Sequence, residues 1–170
     1  INTNTRPIDY ELFNKSPRPG HADFTARKKF GEQINLSGGG IFSGRMTVLL
    51  VAAGVIAKKI IPKIIFEARL ISVNGSQNIE AEIDKAVDEG DSVGGIIECK
   101  ISNVPIGLGE PFFDSIESKI SHLVFAVPGI KGIEFGSGFK STEMRGSEHN
   151  DLIINSNGQT STNNSGGING

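Results

Sequence analysis

Six consecutive residues, Arg18–Asp23, bring together a fixed cation, a titratable imidazole and a carboxylate. His21 is the candidate catalytic residue of this bend, because imidazole is the side chain whose unperturbed pKa lies near neutrality. The neighbouring Arg18 and Asp23 could hold an anionic substrate and orient the ring. The Pro-Gly pair between them stiffens the bend, so ordering it costs little entropy. The alternative is a structural histidine, since one isolated histidine carries little information.

A second stretch, Gly38–Thr47, places three consecutive glycines, a serine and an arginine before an apolar helical run. Glycine backbone and the hydroxyl of Ser43 would then face a helix N-terminus, where phosphate groups bind. The planar guanidinium of Arg45 suits phosphate or carboxylate. The stretch lacks P-loop spacing, and no strand-GxGxxG-helix unit is present, which argues against an ATPase and a Rossmann dehydrogenase. The alternatives are a flexible turn and a solvated surface arginine.

A third polar cluster, Gly146–Asp151, contains Glu148, His149 and Asp151 and could suggest a metal site. No second group of His or Cys ligands completes it at metal spacing, so the sequence predicts a hydrogen-bonded loop and no metal. His122 and His149 are expected to be structural.

The tail from Asn155 onward is rich in Asn, Ser, Thr and Gly. This composition is typical of a disordered linker. The run Thr162–Gly167 could also be an ordered loop whose amides and glycines press against a planar ligand. Both interpretations stay open from the sequence.

The overall composition excludes several classes of function. The 170 residues include 17 basic and 19 acidic side chains with a net charge of −2, and no basic stripe favours nucleic acid. The longest apolar run, Val48–Ala57, falls short of the roughly 20 residues that cross a bilayer. With no signal-peptide pattern, the protein is expected to be cytoplasmic and without a membrane partner. Cys99 lies in an alternating apolar segment and is predicted to be buried.

Hydrophobic periodicity predicts helices and strands in alternation, and hence an α+β or layered sandwich fold. The helix over 47–61 is apolar on every face, so we expect it to be buried in the middle of the fold. The remaining elements are expected to be a strand over 63–73, a helix over 79–89 stopped by Gly90, a strand over 93–101, a helix beyond Pro111 stopped at Pro128-Gly129, and a short strand over 132–135.

These features together resemble the chorismate synthase family over nearly the whole chain. The resemblance rests on ordered blocks at Arg18–Asp23, Gly38–Thr47, Val51–Lys58, Gly90–Gly95, Asn103–Pro111, Gly146–Asp151 and Thr162–Gly167. It implies a β-α-β sandwich with central buried helices between antiparallel sheets, usually assembled as a homotetramer. Residues 1–170 are expected to be the central portion of a single domain of this type.

The resemblance implies a lyase that converts 5-enolpyruvylshikimate 3-phosphate to chorismate by 1,4 elimination of phosphate with reduced FMN. The resemblance leaves two sources of reduced flavin open. Either the protein itself reduces the flavin with NADPH, or it takes up flavin that is reduced elsewhere. The roles implied are His21 as the catalytic residue, Arg18 and Arg45 as substrate ligands, and Ile41, Phe42, Ser43, Pro128, Gly129 and Gly170 as FMN contacts.

Two departures from the family pattern qualify this expectation. Many members have arginine and glutamate where this chain has Ile41 and Met46, so a contact from position 41 is expected through the backbone. Family members also carry a second catalytic histidine and further arginines upstream, and a catalytic acid downstream. The runs 71–79 and 154–162 are short against the family. If the chain ends at these termini, it is therefore expected to be inactive. The alternative to the lyase is a non-catalytic flavin- or phosphate-binding fragment of the same scaffold.

Overall fold

The fold, taken from a computed structural model, is described for residues 8–169. Its α-helices are α1 (Ile8–Glu11), α2 (Asp23–Phe30), α3 (Val48–Ile60), α4 (Ile79–Glu89), α5 (Ile116–Val124) and α6 (Gly146–His149). Its strands are β1 (Ile65–Val73) and β2 (Gly95–Ser102), and its 3-10 segments are Leu12–Asn14, Ser37–Phe42, Gly44–Thr47, Phe112–Asp114 and Gly138–Glu143. The chain divides into two compact units, one formed by Ile1–Leu50 with Leu108–Gly170 and the other by Val51–Gly107.

The second unit is built on a two-stranded antiparallel sheet of β1 and β2. The register pairs Ile65 with Ser102 and Val73 with Gly95, with an irregularity between Leu70 and Ser72. Arg69 lies directly opposite Glu98, and its Nε is 2.7 Å from Oε2 of that carboxylate. Cross-strand pairs of opposite charge stabilise a sheet modestly. Both strands agree with the sequence prediction.

Helix α4 connects the two strands and packs on β1. It ends where the sequence predicts, because Gly90 adopts a left-handed conformation with φ 64° and donates its N–H to the carbonyls of Ala86 and Val87. Ala86 is buried on this helix, and Val73 is buried on β1. Among the described residues, these two side chains are the buried apolar residues of this unit.

Helix α3 is exposed, which contradicts the predicted burial in the middle of the fold. None of its thirteen residues is buried, and Val51 and Ile56 are 66% and 63% exposed. A two-stranded sheet offers too little apolar surface to cover a helix that is apolar on every face. The prediction of a central buried helix is therefore wrong for this chain as folded here.

Two further predictions are wrong for the same kind of reason. Cys99 is exposed rather than buried, because it lies on β2, where seven of eight residues are exposed, whereas helix α4 packs on β1. Residues 132–135 are irregular rather than a strand. An extended segment becomes a strand only when a neighbour supplies ladder hydrogen bonds, and the amide of Ser137, just beyond, instead donates to the carbonyl of Asn164 at 2.7 Å.

The helical stretch Ser37–Ile60 is long and apolar enough, with a mean hydropathy of 1.8, to cross a membrane by length and composition. Only Val48–Ile60 of this stretch is α-helical. Thirteen residues at 1.5 Å each span about 20 Å, against about 30 Å of bilayer hydrocarbon. The geometry therefore does not favour a membrane span.

Candidate functional site

The bend that carries His21 is a tight turn over residues 18–21. Pro19 occupies its second position and Gly20 its third with φ 70°, and the His21 amide donates to the Arg18 carbonyl at 3.3 Å. A proline followed by a residue with positive φ is the signature of a type II turn, in which glycine avoids the steric cost at the third position. The Pro-Gly pair thus shapes the turn as the sequence suggests.

Asp23 closes this turn with a carboxylate that is 2% exposed. Its Oδ2 accepts from the backbone amide of Arg18 at 3.1 Å and from Arg18 Nε at 2.8 Å, and its Oδ1 accepts from Arg18 Nη2 at 2.8 Å. The side-chain hydrogen bonds from Arg18 lower the pKa of Asp23 to about 2. They also raise the pKa of Arg18 above its ordinary value. This is a bidentate, charge-assisted pair.

The guanidinium of Arg18 also lies against two aromatic rings. Its Cζ is 4.7 Å from the ring centroid of Phe13 and 5.8 Å from that of Tyr10. A cation held over ring faces and by a carboxylate has little freedom to move. Together these groups line a cleft that continues along α2 to Ser37.

His21 is exposed, and its ring is oriented by the backbone rather than by a carboxylate. Nδ1 lies 3.0 Å from the Pro19 carbonyl oxygen, which can only accept, so Nδ1–H is the donor. In the neutral ring Nε2 is then the unprotonated nitrogen, which is the form that can take up a proton. The expected contact of Asp23 with the imidazole is absent among the described hydrogen bonds, because its carboxylate binds Arg18.

The glycine corner, defined as Gly38–Thr47, begins with three glycines at positive φ of 64°, 85° and 53°. A Cβ on Gly40 would come within 2.9 Å of the Asn35 carbonyl oxygen, so both the backbone angle and the space require glycine there. The Arg45 guanidinium donates through Nη2 to the carbonyl of Gly38. The corner is therefore a fixed turn rather than a flexible one.

The amides after Ser43 are used within the corner itself. The Ser43 hydroxyl oxygen accepts from the Arg45 amide at 3.3 Å, and the Ser43 carbonyl accepts from the Met46 amide at 3.0 Å. The Val48 amide donates back to the carbonyl of Arg45. A 3-10 turn therefore precedes α3, and the expected run of free donors at a helix start is not formed. The Ser43 hydroxyl proton stays available to donate.

Helix α2 joins the bend to the corner within one unit. Asp23 is its first residue, and Phe30, its last, lies 6.2 Å between ring centroids from Phe42. An eight-residue helix is about 12 Å long. The structure thus places the bend at one end of α2 and the corner beside its other end. Among the described residues, the cleft that contains Arg18 and Asp23 is lined by neither His21 nor Ile41, Ser43 and Arg45.

The other expected flavin contacts lie elsewhere in the chain. Pro128 and Gly129 form the exposed turn after α5, with φ 93° at Gly129. Among the described residues, no hydrogen bond, ion pair or ring contact links this turn to the bend or to the corner. Gly170 lies outside the described residues.

Asp151 organises the tail, a role that the sequence analysis did not assign. Its carboxylate accepts from the Thr162 hydroxyl at 2.7 Å and from the amides of Asn164 and Ser165 at 2.8 Å each. These bonds, led by the Ser165 amide, lower the pKa of Asp151 to about 2. The tail is therefore an ordered loop rather than a disordered linker, and its contact with a planar ligand stays a prediction. An acid eleven to fourteen residues before a Thr-x-Asn-Ser run was the available signal.

Asn164 extends the same network. Its Nδ2 donates to the carbonyls of Glu148 and His149 at 3.2 and 3.1 Å, and its Oδ1 accepts from the Ser137 hydroxyl. The segment 146–151 is hydrogen-bonded as predicted, but its first four residues form the short helix α6 rather than a loop. Within the described part of the chain, no group of three His, Cys, Asp or Glu side chains could hold a metal ion.

The fold resembles that of a solved protein. A crystal structure of chorismate synthase superimposes with a TM-score of 0.75 at 24% sequence identity, covering 86% of this chain and 58% of that one. The sequence goes further than the fold. The sequence profile described as chorismate synthase matches residues 1–170. The chain therefore belongs to the chorismate synthase family, which confirms the resemblance.

Curated relatives show how much of such a protein this chain represents. Chorismate synthase of Chitinophaga pinensis is 55% identical over 168 residues, which cover 98% of this chain and 51% of that protein. Chorismate synthase of Korarchaeum cryptofilum is 43% identical over 85% of this chain and 48% of its own length. The chain thus spans about half the length of the curated relatives it matches.

The runs 71–79 and 154–162, which are short against the family pattern, can be compared with two relatives through the lengths of their alignments. The match with Chitinophaga pinensis takes 168 positions for 98% of this chain, so the two align nearly without gaps. The chorismate synthase of Dehalococcoides mccartyi needs 198 positions for the same share, at 40% identity. The shorter form of the aligned region therefore also occurs in a curated relative.

Proposed function

We propose that the intact protein is a lyase that converts 5-enolpyruvylshikimate 3-phosphate to chorismate and phosphate by 1,4 elimination with reduced FMN. The observation that carries this proposal is the family match along the whole chain, with 55% identity to a curated chorismate synthase. The arrangement of the bend and the corner at the two ends of α2 supports it.

His21 is the residue proposed to move the proton. Its Nδ1–H donates to the Pro19 carbonyl, which leaves Nε2 as a basic nitrogen on an exposed ring. A positioned imidazole contributes roughly 10²–10⁴-fold to such a step.

Arg18 and Arg45 are proposed to hold the anionic groups of the substrate. Two of the five N–H donors of the Arg18 guanidinium bind Asp23, and the described residues show no hydrogen bond from the other three. Arg45 is exposed, and one arm of its guanidinium donates to Gly38. Fixed cations stabilise the negative charge that builds as phosphate departs.

The residues of the corner fit an isoalloxazine ring. Ile41 is 67% exposed and Phe42 37% exposed, which offers apolar surface, and the Ser43 hydroxyl next to them can donate. We propose that these three, with Pro128, Gly129 and Gly170, hold FMN. When bound, the reduced flavin supplies the electron density that weakens the carbon–oxygen bond.

The assembly and surroundings of the protein are proposed on the same basis. A homotetramer, a cytoplasmic location, and NADPH as one source of flavin reduction agree with the family. Neither nucleic acid nor a membrane is proposed as a partner.

The test is anaerobic incubation of the intact protein with 5-enolpyruvylshikimate 3-phosphate and reduced FMN. Equal amounts of chorismate and phosphate, with no net oxidation of the flavin, are expected. The second candidate, a non-catalytic flavin- or phosphate-binding module, is favoured by the engagement of the Arg18 guanidinium with Asp23. That candidate predicts tight binding of reduced FMN without release of phosphate.

A further inference from the structure

The structure assigns to Asp23 the role of a positioning residue that fixes the orientation and tautomer of His21 through Arg18 and the 18–21 turn. This inference rests on the proposed function in one respect, because that function gives His21 the task of moving a proton. Among the described hydrogen bonds, Asp23 makes none to the imidazole, and its carboxylate binds Arg18. The route proposed from Asp23 to the ring is the backbone of the turn.

Among the described residues, the Asp23 carboxylate is placed to bind Arg18. Asp23 is the first residue of α2, a position where an acid often caps a helix, yet no side-chain capping bond is made there. The described hydrogen bonds of its carboxylate come from Arg18, one from the backbone amide and two from the guanidinium.

Asp23 is the one buried charged residue among the described residues, although Pro19, Gly20 and His21 around the turn are exposed. Removing one partner of such a pair leaves the other charge without its counter-ion, so both residues are needed to keep it. The hydrogen bonds of the pair join residues 18 and 23 and thereby hold the turn between them closed.

The closed turn also positions the imidazole of His21. The turn itself is held by one amide bond, His21 N–H to the Arg18 carbonyl, at 3.3 Å near the long end of the range. The Pro19 carbonyl can accept from Nδ1 only while the turn keeps its shape. If the hydrogen bonds between Asp23 and Arg18 are removed, the turn is therefore expected to lose its shape. The imidazole then rotates freely, and protonation at Nδ1 is no longer preferred.

The test is the tautomer of His21, read by nitrogen NMR of the ¹⁵N-histidine-labelled intact protein at a pH where the nitrogen shifts show the neutral ring. The unsubstituted protein is expected to carry its proton on Nδ1. Asp23→Asn is expected to shift the ratio of the two tautomers severalfold toward Nε2–H. Asp114→Asn, which removes the exposed ion pair with Lys119, is the matched control and should leave the His21 signals unchanged.

Arg18→Lys keeps the positive charge but loses the paired N–H donors of the guanidinium that bind Asp23. If Asp23→Asn does not fold, Arg18→Lys therefore tests the positioning role. A folded Arg18→Lys protein should show the same direction of change. Proton location on Nε2 in the unsubstituted protein, or an unaltered tautomer ratio in the folded variants, would overturn the positioning role. Absence of turnover in the unsubstituted protein would contradict the proposed function instead, and the tautomer ratio decides the positioning role in either case.

Discussion

At the scale of single residues, polar side chains fix the loops of this protein through bonds to backbone and to one another. Asp23 holds the bend through Arg18, and Asp151 holds the tail through Thr162 and two amides. Carboxylates suit this task because each offers about four acceptor sites. Loops of this kind keep a defined shape although few of their residues are buried.

Gly40→Ala is expected to destabilise the corner by about 1–3 kcal/mol, because the new Cβ would meet a carbonyl oxygen at positive φ. Gly44→Ala is the matched control, since a Cβ there meets nothing within 4 Å. Urea unfolding of both variants measures the difference. Equal midpoints for the two variants would show that the corner does not require glycine at position 40.

Asp151→Asn is expected to lower the melting temperature at neutral pH, because an amide accepts weaker hydrogen bonds than a carboxylate. The folded-state pKa of Asp151, about 2, lies below its ordinary value of 3.8, so its contribution is complete above the ordinary value. That contribution is lost as the pH falls through about 2. The gap between variant and unsubstituted protein should therefore narrow on acidification.

Thermal melting from pH 7 toward pH 2 follows this gap. Asp84→Asn, on the exposed surface of α4, is the control and should show no comparable gap. A pH-independent difference for Asp151→Asn would mean that the charge of the carboxylate is not what holds the tail.

At the scale of elements, local signals in the sequence were sufficient where the chain's own neighbours determine the outcome. The strand, helix and strand from Ile65 to Ser102 form as predicted, since alternation, helical spacing and Gly90 all act locally. Burial was not predictable in the same way. The exposure of α3 and Cys99 depends on which layers cover them, and hydrophobicity reports only a tendency to be covered.

The site shows the same division. The turn at Pro19-Gly20 could be inferred from residue types, whereas the pairing of Asp23 with Arg18 instead of His21 could not, since both partners lie within a few residues. The roles of Asp151 and Asn164 depend on contacts between segments far apart in sequence. Spacing alone does not reveal such contacts.

Helix α3 leads to a prediction about association. An exposed helix that is apolar on every face forms a patch larger than soluble monomers usually present. The 170-residue chain alone is therefore expected to self-associate, as measured by light scattering. Ile56→Lys should reduce the association, because it places a charge on that surface.

Val87→Lys is the control for this experiment, since Val87 is 72% exposed on α4, outside the patch. It should leave the association unchanged. A monomeric chain at all concentrations tested would show that the α3 surface is not adhesive.

At the scale of the whole molecule, the chain spans 51% of its Chitinophaga pinensis relative. The resemblance to this family implies that further catalytic groups lie outside the matched half. The 170-residue polypeptide alone is therefore expected to release no phosphate from 5-enolpyruvylshikimate 3-phosphate with reduced FMN under anaerobic conditions. Robust release from this polypeptide would mean that the residues present here complete a site.

The turnover of His21→Ala in the intact protein tests most directly whether His21 moves the proton. We expect kcat to fall by roughly 10²–10⁴-fold, while binding of substrate and reduced FMN is largely retained. His122→Ala, exposed in the last turn of α5, should keep the unsubstituted rate. An unchanged rate for His21→Ala would contradict the account, because the bend would then have no part in the chemistry.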